Sequence, residues 1–122
     1  MLRHLFPALL MMVLSVSVLA ADPQVIEVKL DSYSITPDKI VVKIGQPVTL
    51  KVTNVATFIP HDLVIKAPDA GVDLKIDLRA GKSGEVSFTP TRTGSYEMFC
   101  DKEPPIGKSH RAKGMHGTLI VE

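Results

Sequence analysis

Four side chains in the last quarter of the chain could do chemistry together. Cys100 is the only cysteine; nine residues separate it from His110, four separate His110 from Met115, and His116 sits beside Met115. A thiolate, an imidazole and a thioether form a soft donor set, of the kind that selects copper over harder cations. A lone cysteine cannot form an internal disulfide. It must pack as a small hydrophobe, pair with another chain or bind something, and the histidines and methionine downstream favour binding. Adjacent residues of an extended chain point to opposite faces, so one ion takes only one of Met115 and His116. A fourth candidate, His61, lies far upstream directly after Pro60, whose ring restricts the backbone that delivers it.

The elements that must bring these residues together read as strands. Val25–Leu30 alternates apolar and charged residues, as do Lys39–Ile44, Val48–Asn54 and Leu74–Leu78. Ile26, Val28, Leu30, Ile40, Val42, Ile44, Val48, Leu50 and Val52 are the expected inward positions. His61–Ile65, Glu85–Thr89, Ser95–Cys100 and Gly117–Val121 complete the set, with Gly, Pro, Asp and Ser clusters between them. Asp31-Ser32 reads as a break and Thr36-Pro37-Asp38 as a turn. Helical pattern is confined to a single turn near Asp69–Asp73. Seven to eight short strands with Gly/Pro turns predict an all-β, Greek-key antiparallel sandwich or small barrel. Cys100 then ends a strand at one rim, and the chain loops out and returns as the closing strand. Gly114 and Gly117 bracket Met115-His116, where glycine permits positive φ or close backbone approach.

The first twenty of the 122 residues stand apart. Arg3 precedes an apolar run from Leu5 to Val18, and Val18-Leu19-Ala20 offers a cleavage point before Ala21. This is the layout of a secretory signal peptide, with an uncleaved membrane tether as the alternative. Residues 1–20 are thus expected to be a leader and residues 21–122 one exported domain, with no membrane span once the leader is cut. The full chain carries fourteen Lys and Arg against thirteen Asp and Glu. Without Arg3 the two balance, so nucleic acid and highly charged polymers are poor partners.

The motifs resemble the cupredoxin, or blue-copper, family. Tyr96-Glu97-Met98-Phe99-Cys100 is similar to the family's strand into its cysteine, and His110 with Met115, flanked by Gly114 and Gly117, to its closing ligand loop. Asn54 followed by Pro60-His61-Asp62-Leu63-Val64-Ile65 resembles the segment carrying the upstream histidine, and Gly45-Gln46-Pro47-Val48-Thr49-Leu50 an early turn and strand. The resemblance spans the domain and is nearest to small exported proteins of the EfeO type. It implies a cupredoxin-type sandwich with one copper ion on His61, Cys100, His110 and a weak axial Met115, His116 lying outside, and the Asp62 N–H donating to the cysteine sulfur. It also implies His110 as a partly exposed edge for electrons. One departure is plain: the resembling loops place two to four residues between Cys and His, whereas Asp101–Ser109 supplies nine, including Pro104-Pro105.

The function expected is a periplasmic, monomeric one-electron carrier, not an enzyme, working with a redox protein such as a c-type cytochrome. The competing expectations are a copper-delivery module and an accessory domain of a metal-uptake system. Asp101–His116 holds four basic and two acidic residues, a mildly positive face suited to an acidic partner.

Overall fold

The computed structural model describes residues 12–15 and 24–122; the predicted leader, apart from 12–15, lies outside the described residues. Among the described residues nine strands form two facing sheets: β1 (Gln24–Asp31), β2 (Ser34–Thr36), β3 (Lys39–Val42), β4 (Val48–Asn54), β5 (His61–Ala67), β6 (Val72–Leu78), β7 (Ser83–Phe88), β8 (Gly94–Phe99) and β9 (His116–Val121). One sheet has the order β2-β1-β4-β7, the other β3-β9-β8-β5-β6. A single 3₁₀ turn, Pro68–Ala70, starts at a proline and closes on Gly71 in the left-handed conformation. Among the described residues no helix is long and apolar enough to cross a membrane.

The sandwich is the one predicted, with two refinements. The pairs β1–β4 and β3–β9 run parallel, so each sheet is mixed. The parallel pairs arise because β2 and β3 intervene, β3 moving to the second sheet before the chain returns as β4 beside β1. The ninth strand, β2, is three residues long, too short for alternation to reveal it.

The interior follows the period of two. Val28, Leu30, Ile40, Val42, Val48, Leu50, Val52, Met98, Leu119 and Val121 are buried between the sheets, and fully burying one aliphatic side chain is worth about 1.5–3 kcal/mol. Ile44 departs from expectation and is exposed; it lies beyond β3, where its N–H donates to the Glu122 carbonyl and the chain turns away. β5 differs from its neighbours: His61 to Ile65 are buried without interruption. It is an inner strand between β8 and β6, and a strand segment buried at successive residues loses the polar alternation of a half-exposed one.

At one rim, three connections meet: the β1–β2 turn, residues 55–60, and residues 100–115. Gly117 lets β9 pass close to β3, because a Cβ there would collide with the Asp38 backbone carbonyl. That carbonyl instead accepts the Thr118 N–H at 2.7 Å.

Candidate metal centre

His61 is placed by Asn54. The Asn54 Nδ2 donates to the carbonyls of Ile59 and Leu78, each at 3.0 Å, and Oδ1 accepts the Ala56 N–H at 3.0 Å. This amide fixes both ends of the connection that leads through Pro60 into β5. The His61 ring is then held by Ser32, whose Oγ lies 3.0 Å from Nε2. With the Nε2 proton on that hydroxyl, Nδ1 keeps its lone pair, and Nδ1 faces Nδ1 of His110 at 3.2 Å.

Cys100 follows β8 directly. Its N–H donates to the Met115 carbonyl at 3.1 Å, tying the cysteine to the returning chain. Its Sγ accepts the Asp62 N–H at 3.5 Å and lies 3.6 Å from His110 Nδ1. His110 closes the long loop: its N–H donates to the Lys102 carbonyl, and its carbonyl accepts the N–H groups of Lys113 and Met115. Gly114, at φ +125°, turns this tight loop towards Met115. Met115 is wholly buried, and His116 is exposed beside Asp38 and Lys39.

One nitrogen of each histidine and the cysteine sulfur lie within 4.8 Å of one another. Bonds of about 2.0 Å to nitrogen and 2.3 Å to sulfur span such separations from one common point. The residues therefore fit a single ion, and the mixture of thiolate, two imidazoles and a neighbouring thioether fits copper. Burial holds the His61 and His110 pKa values below the ordinary range; His110 adds to the effect at His61, partly offset by Asp31, and Lys113 and Lys102 add to it at His110. Both imidazoles are thereby kept neutral, as ligands must be.

Burial also pushes the Cys100 thiol up to about 11, against N–H donation from Asp62 and Lys102. Without metal, the thiol should alkylate with iodoacetamide at pH 8 at least about 100-fold more slowly than an unfolded cysteine peptide. Urea should abolish the protection. Reaction at the peptide's rate in native buffer would show the sulfur to be accessible.

The site is more enclosed than the sequence implies. His110 is 7% exposed and His61, Cys100 and Met115 are fully buried, so the expected exposed His110 edge is not what the fold presents. Tyr33 covers it: its ring centroid lies 5.0 Å from that of His110 and 6.1 Å from that of His61. Lys113 Nζ sits 4.4 Å above the tyrosine ring, and the Arg111 guanidinium at the same distance over Phe99. On the other side of the cysteine, Asp62 is buried. Its Oδ1 accepts the Asp101 N–H at 2.8 Å, and Lys75 lies 3.7 Å from Oδ2. Burial and the neighbouring Asp101 raise the Asp62 carboxyl to about 6, against hydrogen bonds from the Asp101 and Cys100 side.

All four residues singled out in the sequence thus come to one rim, and the predicted Asp62 N–H to sulfur contact is present. Ser32, Tyr33 and Lys75 escaped notice. A break after a strand carries no chemical pattern, and Lys75 reads as the solvent side of an alternating strand; only the pairing of β5 with β6 brings it to Asp62.

A two-sheet Greek-key sandwich with a His-Cys-His cluster at one rim, and a buried methionine whose backbone is hydrogen-bonded to that of Cys100 and His110, defines a mononuclear soft-metal β-sandwich protein. The model of the cupredoxin-like domain matches residues 4–121, and the chain belongs to that family. Its fold is similar to dithionite-reduced auracyanin from Roseiflexus castenholzii (TM-score 0.66, 23% identity, 81% of this chain and 97% of that one). It is also similar to auracyanin A, a blue copper protein of Chloroflexus aurantiacus (TM-score 0.63, 21% identity, 83% and 100%). A third similar structure is the periplasmic domain of cytochrome oxidase subunit II of Bradyrhizobium japonicum (TM-score 0.57, 19% identity, 81% and 83%). No curated protein sequence matches the chain. Closeness to proteins of the EfeO type is not shown by these similarities and rests on the sequence motifs alone.

Proposed function

We propose that the protein is an exported copper protein that carries single electrons, with His61, Cys100 and His110 as strong ligands and Met115 as the weak axial one. The observation that carries this reading is the convergence of two imidazole nitrogens 3.2 Å apart and a thiol sulfur 3.6 Å from one of them, all buried. Bound copper would supply a one-electron couple between Cu(II) and Cu(I). The chain supplies the rest. Asn54, Ser32 and the His110–Met115 turn fix the donors before any ion arrives. Tyr33 and the surrounding strands keep bulk water from the imidazoles.

The same enclosure speaks for electron transfer over catalysis, since a substrate needs an open ligand position. It speaks against copper delivery as well, because handing on an ion needs a ligand within an acceptor's reach. The similarity to auracyanins supports the carrier reading. Export rests on the leader pattern of residues 1–20, leaving 21–122 as a monomeric periplasmic domain. Lys108 and Lys113, both exposed near His110, suit a redox partner with an acidic face, such as a c-type cytochrome.

Titrating residues 21–122 with Cu(II) tests the proposal. One equivalent should produce an intense visible thiolate-to-copper band; a protein that stays colourless and binds no copper sinks it. Met115→Leu should keep the copper and raise the potential, because a donor that favours Cu(II) is lost. His116→Ala should alter neither. Loss of the band in His116→Ala would overturn the axial assignment.

A further inference from the structure

We propose that Lys75 tunes the metal centre from outside it, through the buried carboxylate of Asp62. The inference rests on the copper reading above. Three observations carry it. First, Asp62 has a fully buried side chain, and Oδ2 has no hydrogen-bond partner among the described residues. An ionised carboxylate in that position is costly unless a cation stands near it.

Second, Lys75 is the cation that reaches it. It lies on β6 opposite Val64 of β5, two residues along from the Asp62–Asp77 pair. Its Nζ is 3.7 Å from Asp62, 3.0 Å from Asp101 and 4.0 Å from Asp77. Asp77 has a second partner in Lys102, so Lys75 serves chiefly the two carboxylates that flank the cysteine. Third, Asp62 touches the centre twice. It follows His61 in the chain, and its N–H donates to Cys100 Sγ. Its Oδ1 also clamps the backbone of Asp101, the residue after the cysteine. Asp62 and Lys75 together thus set both the position of the sulfur's hydrogen-bond donor and the local charge beside the sulfur.

The sign follows from electrostatics. An uncompensated negative charge next to the centre favours the more positive Cu(II). Removing Lys75 should therefore lower the midpoint potential. Lys75 is half exposed, so solvent screens part of its field. The expected fall corresponds to about a two- to fivefold change in the oxidised-to-reduced equilibrium.

The test is a double-mutant cycle on the copper-loaded protein at pH 8, using Lys75→Met, Asp62→Asn and the pair, read as midpoint potential and as the energy of the thiolate-to-copper band. Lys75→Met alone should lower the potential; made in the Asp62→Asn background it should lower it less, the remaining fall passing through Asp101, 3.0 Å from Lys75. A lysine that merely braces β6 would change the melting temperature and not the potential. An unchanged potential, or an equal fall in both backgrounds, overturns the proposal. Urea unfolding of the metal-free set reads the same coupling without copper: Asp62→Asn should relieve the stability lost in Lys75→Met, and absence of that coupling also overturns it. A wild-type protein that binds no copper sinks the copper reading instead, an outcome distinct from a coupled pair that fails to move the potential.

Discussion

Cys100→Ser is expected to abolish the visible band outright and to weaken Cu(II) binding by at least about 100-fold. The two elements hold for different reasons. The band requires a sulfur–copper bond, which no hydroxyl can supply. Affinity falls because the serine hydroxyl barely ionises near neutral pH and is a hard donor, leaving two imidazoles and a thioether to hold the ion. The fold should survive. Serine is no larger than cysteine, and the Asp62 N–H that now donates to Sγ can donate to a hydroxyl. Circular dichroism and a melting curve of the metal-free variant close to those of the parent would establish that the loss is local. Retention of the band in this variant would exclude Cys100 as the ligand.

Asn54→Ala should have the largest effect on stability. Three hydrogen bonds vanish at once, and the Ala56 N–H and the Ile59 and Leu78 carbonyls lose their partner. Each buried polar group left unsatisfied costs about 1–3 kcal/mol. A total of about 3 kcal/mol in a domain of this size lowers the melting temperature by more than about 10 °C. Copper affinity should fall with it, because residues 55–60 would no longer deliver His61 in a fixed place. Asn54→Asp should be at least as damaging, since it keeps the acceptor for Ala56 but turns a buried carboxylate towards two carbonyl oxygens. The measurements are thermal unfolding and copper titration of each variant. A melting temperature within about 2 °C of the parent would mean that water or neighbouring groups replace the amide.

Period-two alternation made the sandwich legible, because Val28, Leu50 and Val52 face the core in the register that the apolar positions predict. The donors were legible for another reason: Cys, His and Met within one loop form an uncommon chemical combination whatever the fold. Depth was not legible. His110 stands among Lys108, Arg111 and Lys113 in the sequence, and charged neighbours usually mark a solvated loop. Its burial comes from Tyr33, a residue seventy-odd positions upstream that only the folded topology places over it. The nine residues between Cys100 and His110 are likewise accommodated without opening the site. The His110 N–H donates back to the Lys102 carbonyl, so most of the insertion is a closed excursion. Its tip is exposed, with Ile106 92% accessible.

The parallel pairing of β3 with β9 has a consequence for the order of assembly. Among the described residues β3 has no neighbour in its sheet other than β9, although the two are far apart in sequence. During synthesis β3 must therefore wait, unpaired, until residues 116–121 have emerged. Long-range pairings of this kind slow folding relative to local ones. The loop carrying Cys100, His110 and Met115 lies immediately before that last strand. The metal pocket and the sheet edge should consequently be completed in the same late step, so that a chain which can hold the ion is also one that has finished folding.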